Sequence, residues 1–144
     1  MPGSMAFRVF LDVNIILDFV LQRDGYEPGK TVITWAEEGS INGFVSPTVV
    51  QICSYWITKA YGVAKAKEIM TTLLAFIHTI DTPHEVVLAA LHSSMNDIED
   101  ALQYYTALHH GMTHVISQDR TFQKAALPSL PVVPPTDFIN FIGR

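Results

Sequence analysis

The chain has 144 residues, of which 49% are hydrophobic, and this is enough apolar material for one domain with its own buried core. Its formal net charge of −5 excludes a nucleic-acid binder that works through bulk positive charge, so a polyanionic partner needs a local basic patch or a metal ion. The longest apolar stretches are shorter than the roughly 18 to 20 residues of a membrane-spanning helix, and we expect no membrane association.

The first half of the chain predicts strands that alternate with helices. Residues 1–4 (MPGS) are interpreted as the remnant of an expression tag ahead of a native Met5, which leaves residues 5–144 as a single domain. A short apolar run next predicts a buried strand, followed by an amphipathic helix that Asn14 is expected to cap. The predicted elements are strand 6–11, helix 14–21, helix 30–38, strand 43–45 and a helix that runs from Ser46-Pro47 to about residue 62.

The second half continues this alternation. The predicted elements are helix 63–76, strand 77–80, helix 83–91, helix 98–109, strand 113–116, strand 131–133 and helix 137–142. Asn96-Asp97 offers a cap for the helix that begins at Ile98. Five strands that alternate with helices predict an α/β domain in which a parallel sheet lies between helical layers.

Acidic residues follow two of the predicted strands. Asp12 comes directly after the first strand and Asp119 shortly after strand 113–116, and the carboxyl ends of parallel strands are where α/β proteins bind ligands. Asp97 and Asp100 are three residues apart and share a helix face, whereas Glu99 is expected to point to solvent. Each aspartate also has a structural interpretation, since Asp12 and Asp97 fit helix caps and Asp119 fits a turn.

A divalent cation would explain why these acids occur together. If Asp12, Asp100 and Asp119 share one cleft, their repulsion raises at least one pKa unless a cation lies between them. Mg²⁺ or Mn²⁺ prefers oxygen ligands and retains several waters, and we expect Asp97 to contribute from nearby. Such an ion activates water for in-line attack on a phosphodiester, so phosphodiester hydrolysis is the predicted reaction.

Four segments resemble, in order and spacing, a PIN-domain protein of the small bacterial VapC-like toxin branch. They are FLDVNIILDFVLQR (10–23), VSPTVVQICSYWI (45–57), NDIEDALQYYTALHHG (96–111) and VISQDRTF (115–122). The resemblance covers nearly the whole chain, and EDALQYY is its most specific piece. It implies a Rossmann-like PIN fold and a Mg²⁺- or Mn²⁺-dependent ribonuclease. It also implies a homodimer and an antitoxin protein as partner.

By position, the resemblance assigns the catalytic and metal-binding acids to Asp12, Asp100 and Asp119, with Asn14 and Ser117 as their polar neighbours. The chain departs from the family where a glutamate usually follows the second strand, because Gln51 stands there. An amide carries no negative charge and cannot act as a base. The alternative function is therefore a catalytically weak or inactive PIN-like module that binds RNA or a protein.

A third hypothesis is a phosphatase of the haloacid-dehalogenase type, because Asp12 also follows a first strand. That chemistry needs a second aspartate two residues later, where this chain has Asn14. Rapid turnover of a small phosphate ester would support it.

Two basic residues are candidate RNA contacts, and the single cysteine indicates the compartment. Arg120 and Lys124 are four residues apart after Asp119, so on a helix they would face the same way and contact phosphates. The single cysteine, Cys53, cannot form an internal disulfide, which is typical of a cytoplasmic protein.

The aromatic residues of the helical segments are interpreted as core or interface positions rather than as platforms for base stacking. Four aromatic residues, one of them in a predicted strand, are expected to cover a dimer surface: Trp35, Phe44, Trp56 and Phe76. Tyr55 and Tyr61 are also interpreted as core or interface positions.

Overall fold

A five-stranded parallel sheet forms the centre of the fold. The computed structural model describes residues 7–143, so the interpretation of residues 1–4 as a tag remnant lies outside the described residues. The strands are β1 (Arg8–Leu11), β2 (Asn42–Val45), β3 (Ile77–Thr79), β4 (His114–Ile116) and β5 (Val132–Val133). They lie in the order β3-β2-β1-β4-β5, and all neighbours are parallel. The predicted α/β class and parallel sheet are confirmed.

Within residues 7–143, eight helices lie between the strands or follow the last one. They are α1 (Val13–Val20), α2 (Tyr26–Glu38), α3 (Pro47–Tyr61), α4 (Val63–Leu74), α5 (His84–His92), α6 (Ile98–His109), α7 (Arg120–Lys124) and α8 (Pro135–Ile142). Helix α2 begins four residues before its predicted start, because Pro28 lies in its first turn, where proline is tolerated. Helix α7 was not predicted. Among the described helices, none is long and apolar enough to cross a membrane.

The hydrophobic core lies along the central strands. Residues 9–11 of β1 are fully buried, as expected for a strand that helices cover on both faces. Helix α3 packs against α1 and buries Val49, Cys53 and Ile57 at intervals of four residues. This spacing fixes the rotation of α3, so its remaining side chains face either solvent or the edge of the sheet.

The aromatic residues that the sequence assigned to a dimer surface lie in different surroundings. Phe44 is buried in the core, and Phe76 is partly buried against it. Trp35 packs against Phe138, with the two ring centroids 6.4 Å apart. Of these four predicted surface residues, Trp56 is the exposed one, with 47% of its surface accessible. The other three therefore do not support the interpretation as a dimer surface.

The strands β1 and β4 end side by side at one edge of the sheet. Leu11 is in register with Ile116, and the backbone N–H of Asp12 donates to the carbonyl oxygen of Ile116 at 3.0 Å. Because β2 and β4 lie on opposite sides of β1, the order of the strands reverses here, which opens a crevice beyond their carboxyl ends. The residues that follow β1 and β4 line this crevice.

Candidate active site

An acidic cleft of about 420 Å³ lies beyond the carboxyl ends of β1 and β4. Its acidic lining comes from three places in the chain: the junction of β1 and α1, the start of α6, and the turn before α7. The lining acids are Asp12, Asp97, Glu99, Asp100 and Asp119. The structure thus brings together all four aspartates that the sequence singled out. Glu99 also lies at the cleft, and its side chain is exposed to solvent as the sequence predicted.

Asp12 is buried and held by three donors. Its Oδ1 accepts from the backbone N–H of Val13 at 2.7 Å, and its Oδ2 accepts from Ser117 Oγ at 2.6 Å and Asn14 Nδ2 at 3.0 Å. Burial raises the pKa of Asp12, as does the nearby charge of Asp119, whereas the hydrogen bonds lower it. Asp12 itself caps α1, so the predicted cap at Asn14 was wrong.

Ser117 and Asn14 connect the ends of β1 and β4. Ser117 Oγ donates to Asp12 and accepts from the backbone N–H of Asp119 at 3.1 Å. Asn14 Oδ1 accepts from the backbone N–H of Gln118, also at 3.1 Å. The two polar side chains therefore fix the orientation of the Asp12 carboxylate relative to the turn that carries Asp119.

Asp100 carries the least compensated charge of the cleft. It is 7% exposed, and within the described residues no donor is hydrogen-bonded to its carboxylate. Burial, followed by the charges of Asp97, Asp12 and Asp119, raises the pKa of Asp100 to about 7. At neutral pH the carboxyl is therefore close to its midpoint of protonation, and a nearby cation would favour its charged form.

Asp97 and Asp119 act as helix caps. The sequence predicted this role for Asp97, whereas it predicted a turn at Asp119. Asp97 Oδ1 accepts from the backbone N–H of Asp100 at 2.9 Å at the start of α6. Asp119 Oδ1 accepts from the backbone N–H groups of Thr121 and Phe122 at the start of α7. Capping uses one oxygen of each carboxylate, so the second oxygen of each is available to a cation.

The donor set of the cleft fits a hydrated divalent cation. Within residues 7–143, no three Asp, Glu, His or Cys side chains converge closely enough to hold an ion directly. Mg²⁺ does not need such a cage, because it retains several waters and binds proteins through one or two carboxylates. Among the described residues none donates to the Asp100 carboxylate, and burial, followed by the acidic neighbours, raises its pKa. Both observations indicate a site that binds positive charge.

Helix α3 presents an apolar residue to the cleft where the sequence analysis expected Gln51. Gln51 is exposed and lies outside the cleft lining, whereas the next residue, Ile52, lines it. Successive helical residues point about 100° apart, so only one of the two can face the acids. The structure therefore does not bring Gln51 to the predicted site.

The basic residues near the cleft also differ from those expected. Arg120 and Lys124 are exposed on α7 and lie outside the cleft lining. Arg23 does line the cleft, where its Nε donates to Asp18 Oδ1 at 2.9 Å. The sequence analysis missed Arg23 because it follows α1 in a turn, and its distance from the acids depends on how α1 packs.

A buried amide lies next to Asp12. Gln103 on α6 is 1% exposed, and neither its Nε2 nor its Oε1 has a hydrogen-bond partner within the described residues. Its proximity nevertheless lowers the pKa of Asp12. Asp100 and Gln103 are three residues apart on α6, so this spacing was the sequence signal that places both on one helix face.

Comparisons with known proteins agree with this architecture. Residues 8–121 match the family described as PIN domain. No curated protein is similar to the chain.

Solved structures provide the fold comparison. A VapBC2 complex from Rickettsia felis bound to a promoter DNA fragment has a TM-score of 0.63 at 14% identity, covering 88% of this chain and 97% of that chain. The toxin VapC20 from Mycobacterium tuberculosis, which cleaves the sarcin-ricin loop, has a TM-score of 0.66 at 12% identity, covering 85% and 98%. A toxin-antitoxin complex from Klebsiella pneumoniae has a TM-score of 0.66 at 18% identity, covering 88% and 97%. At these identities the likeness is one of fold.

Proposed function

Since this chain belongs to the PIN-domain family, we propose that it is a metal-dependent ribonuclease that hydrolyses RNA phosphodiester bonds. The observation that carries the proposal is the single cleft that Asp12, Asp97, Asp100 and Asp119 line together. Family membership confirms the resemblance on which the sequence analysis relied. It also replaces the phosphatase hypothesis, which had only the position of Asp12 in its favour.

A toxin role within a toxin-antitoxin pair is part of the proposal. Two of the similar structures are toxin-antitoxin complexes, and a third is a toxin that cleaves RNA in the sarcin-ricin loop. For this chain we propose RNA as substrate, an antitoxin as partner and a homodimer in the cytoplasm. We also propose that residues 5–144 form one domain.

The residues that would hold Mg²⁺ or Mn²⁺ are Asp12, Asp100 and Asp119, with Asp97 beside them. The ion would supply an activated water and positive charge for the phosphate. Asp12 contributes a carboxylate whose orientation is fixed by its bonds to Ser117 and Val13. Without a cation the Asp100 carboxyl is about half protonated at neutral pH, because its pKa is about 7, and a bound cation would favour its charged form.

One basic side chain lies in the cleft itself, where it can contact a substrate phosphate. Arg23 lines the cleft and is about half exposed beyond its ion pair with Asp18. A guanidinium can therefore bind a phosphate oxygen while it remains paired to the carboxylate. Arg120 and Lys124 can contact the chain of the substrate only outside the cleft.

The second candidate function is the catalytically weak or inactive binding module. The observation in its favour is Ile52, because α3 presents an apolar side chain rather than a carboxylate to the cleft. Fewer negative ligands weaken the binding of a hard cation. Gln51, on which the sequence analysis based this alternative, is exposed outside the cleft lining.

Cleavage of a labelled single-stranded RNA with and without a divalent ion tests the proposed function. We expect cleavage in Mn²⁺ or Mg²⁺ and none in excess chelator. Binding of RNA without cleavage in either ion would support the module instead. Full cleavage in chelator would contradict the metal-dependent mechanism.

A further inference from the structure

An exposed tryptophan lies at the rim of the acidic cleft. Trp56 on α3 lines the same cleft as the four aspartates, and 47% of its surface is accessible. It lies one helical turn after Ile52, which lines the cleft as well. The ring therefore adjoins the position where a bound phosphodiester would meet the carboxylates.

A second aromatic ring and a lysine extend this rim. The rings of Tyr55 and Trp56 meet edge to face, with centroids 5.2 Å apart and an interplanar angle of 86°. Lys59 Nζ lies 5.5 Å from the Tyr55 ring centroid and 5.6 Å from that of Trp56. Tyr55 is 56% exposed. Two accessible aromatic rings thus surround one ammonium group, within the distance of a cation–π interaction.

Packing within the domain does not require aromatic side chains at Tyr55 and Trp56. Helix α3 buries its other face through Val49, Cys53 and Ile57, so the helix is held without Tyr55 or Trp56. Accessible aromatic faces together with a lysine are what proteins use to bind unpaired nucleotides, whose bases stack on the rings. The lysine supplies charge for a phosphate that the acidic cleft alone would repel.

We propose that Tyr55, Trp56 and Lys59 form a binding site for an unpaired nucleotide next to the phosphodiester in the cleft. This inference rests on the proposed function and adds the residues that hold a base next to the cleft. The base stacks on Trp56, and Lys59 contacts the adjoining phosphate. In a duplex the neighbouring base pairs cover both faces of each base, so the site selects single strands.

Charge favours RNA over an apolar protein segment as the occupant. Lys59 Nζ lies about equally far from the two ring centroids, so a ligand that covers both rings also meets an ammonium group. A nucleotide does so with its phosphate, whereas an apolar segment would bury the ammonium without a partner. Because the rim continues into the cleft, a strand bound there can also reach the carboxylates.

Binding of defined RNAs to variants of the full chain tests the inference. Trp56→Leu removes the ring and keeps an apolar side chain, whereas Trp56→Phe keeps a stacking face. Tyr61→Leu is the matched control, since Tyr61 is 51% exposed on α3 but outside the cleft lining. All are made in an Asp100→Asn background to suppress cleavage, and a gel checks that the RNA stays intact.

The probes are a fluorescein-labelled single strand of about ten nucleotides, the same strand with one abasic position placed in turn along it, and the matching duplex. Because loss of one stacked base costs about 1–3 kcal/mol, we expect Trp56→Leu to bind the single strand about 5- to 150-fold more weakly. Trp56→Phe and Tyr61→Leu should retain affinity. One abasic position should reproduce the loss, and Trp56→Leu should not weaken duplex binding.

Tryptophan fluorescence gives an independent measure of stacking. The chain contains two tryptophans, so Trp35→Phe leaves Trp56 as the only one. We expect the single strand to quench its emission, and the abasic strand to quench it less.

The outcomes separate this inference from the proposed function. Unchanged affinity in Trp56→Leu, in a protein whose native form still cleaves RNA with Mn²⁺, would overturn the stacking site alone. Absence of both binding and cleavage in the native chain would overturn both proposals. Trp56 emission that responds to protein concentration but not to RNA would assign the rim to a protein contact and overturn the inference.

Discussion

The two sides of the acidic cleft satisfy their charges in different ways. On the side of β1 and β4, Asp12 is held by hydrogen bonds from Val13, Asn14 and Ser117. On the side of α6, Asp100 is buried and accepts no hydrogen bond on its carboxylate from residues 7–143, and burial with its acidic neighbours raises its pKa to about 7. The first side therefore orients a carboxylate, whereas the second leaves a charge for a cation to compensate.

Removing the uncompensated carboxylate should have the largest effect on activity. We expect Asp100→Asn to lower RNA cleavage about 1000-fold, because the loss of several kcal/mol of charge stabilisation costs about tenfold per 1.4 kcal/mol. Asp137→Asn is the matched control, since Asp137 is an exposed acid on α8. Initial rates on a labelled single strand measure the effect, and comparable rates for the two variants would remove Asp100 from the mechanism.

The pH dependence of stability should expose the same difference without RNA. The folded pKa of Asp100, about 7, exceeds its usual value of 3.8, so the folded state binds the proton more tightly. Stability from this group is thus fully present below its usual pKa and falls as the pH rises towards 7. The expected loss in the free energy of unfolding is on the order of 4 kcal/mol.

Urea unfolding of metal-free protein between about pH 4 and pH 8 measures this loss. In Asp100→Asn, the free energy of unfolding should depend less on pH than in the native protein, whereas Asp137→Asn should keep the native dependence. Saturating Mg²⁺ should restore stability near neutral pH, because the ion favours the carboxylate. A slope that is the same in native protein and Asp100→Asn would show that this carboxyl does not titrate as described.

On the opposite side of the cleft, Ser117→Ala should test how much the fixed orientation of the Asp12 carboxylate contributes to metal binding and cleavage. The hydroxyl connects Asp12 Oδ2 to the backbone N–H of Asp119, and losing such a supporting contact costs about 10- to 100-fold in metal affinity or activity. Ser129→Ala, in an exposed loop, is the control for the same chemical change. Unaltered cleavage by Ser117→Ala would mean that Asp12 needs no such support.

A smaller effect is expected on α3, where two adjacent residues provide a matched pair. Ile52→Glu places a carboxylate in the cleft, whereas Gln51→Glu adds the same charge outside its lining. One additional charged oxygen ligand should strengthen Mn²⁺ binding about tenfold in Ile52→Glu and leave it unchanged in Gln51→Glu. Stronger binding by Gln51→Glu alone would restore the sequence-based assignment of this position.

The sequence predicted the sheet well because its strands are short apolar runs with polar ends. Asp12 and Asp119 were found because each follows such a run, and chain order alone puts them at one edge of a parallel sheet. Helix α7 was missed because it is only five residues long and its cap, Asp119, fits a turn equally well.

The α3 side of the site was harder to predict because it depends on helix rotation. The resemblance to the family pointed to Gln51. The buried residues Val49, Cys53 and Ile57 fix the rotation of α3, and this rotation brings Ile52 and Trp56 to the cleft. The four-residue spacing of Ile52 and Trp56 was visible in the sequence, yet nothing local showed which face meets the acids. Arg23 depends in the same way on the packing of α1.

Calorimetric titration with Mn²⁺ tests most directly whether the cleft binds a divalent cation. Run near pH 6.5 in buffers of different ionisation enthalpy, it reports affinity and proton release together. We expect saturable binding with release of a proton, because Asp100 is largely protonated at this pH before the ion binds, and we expect both signals to be lost in Asp100→Asn. No binding, or equal binding and proton release in Asp100→Asn, would contradict it.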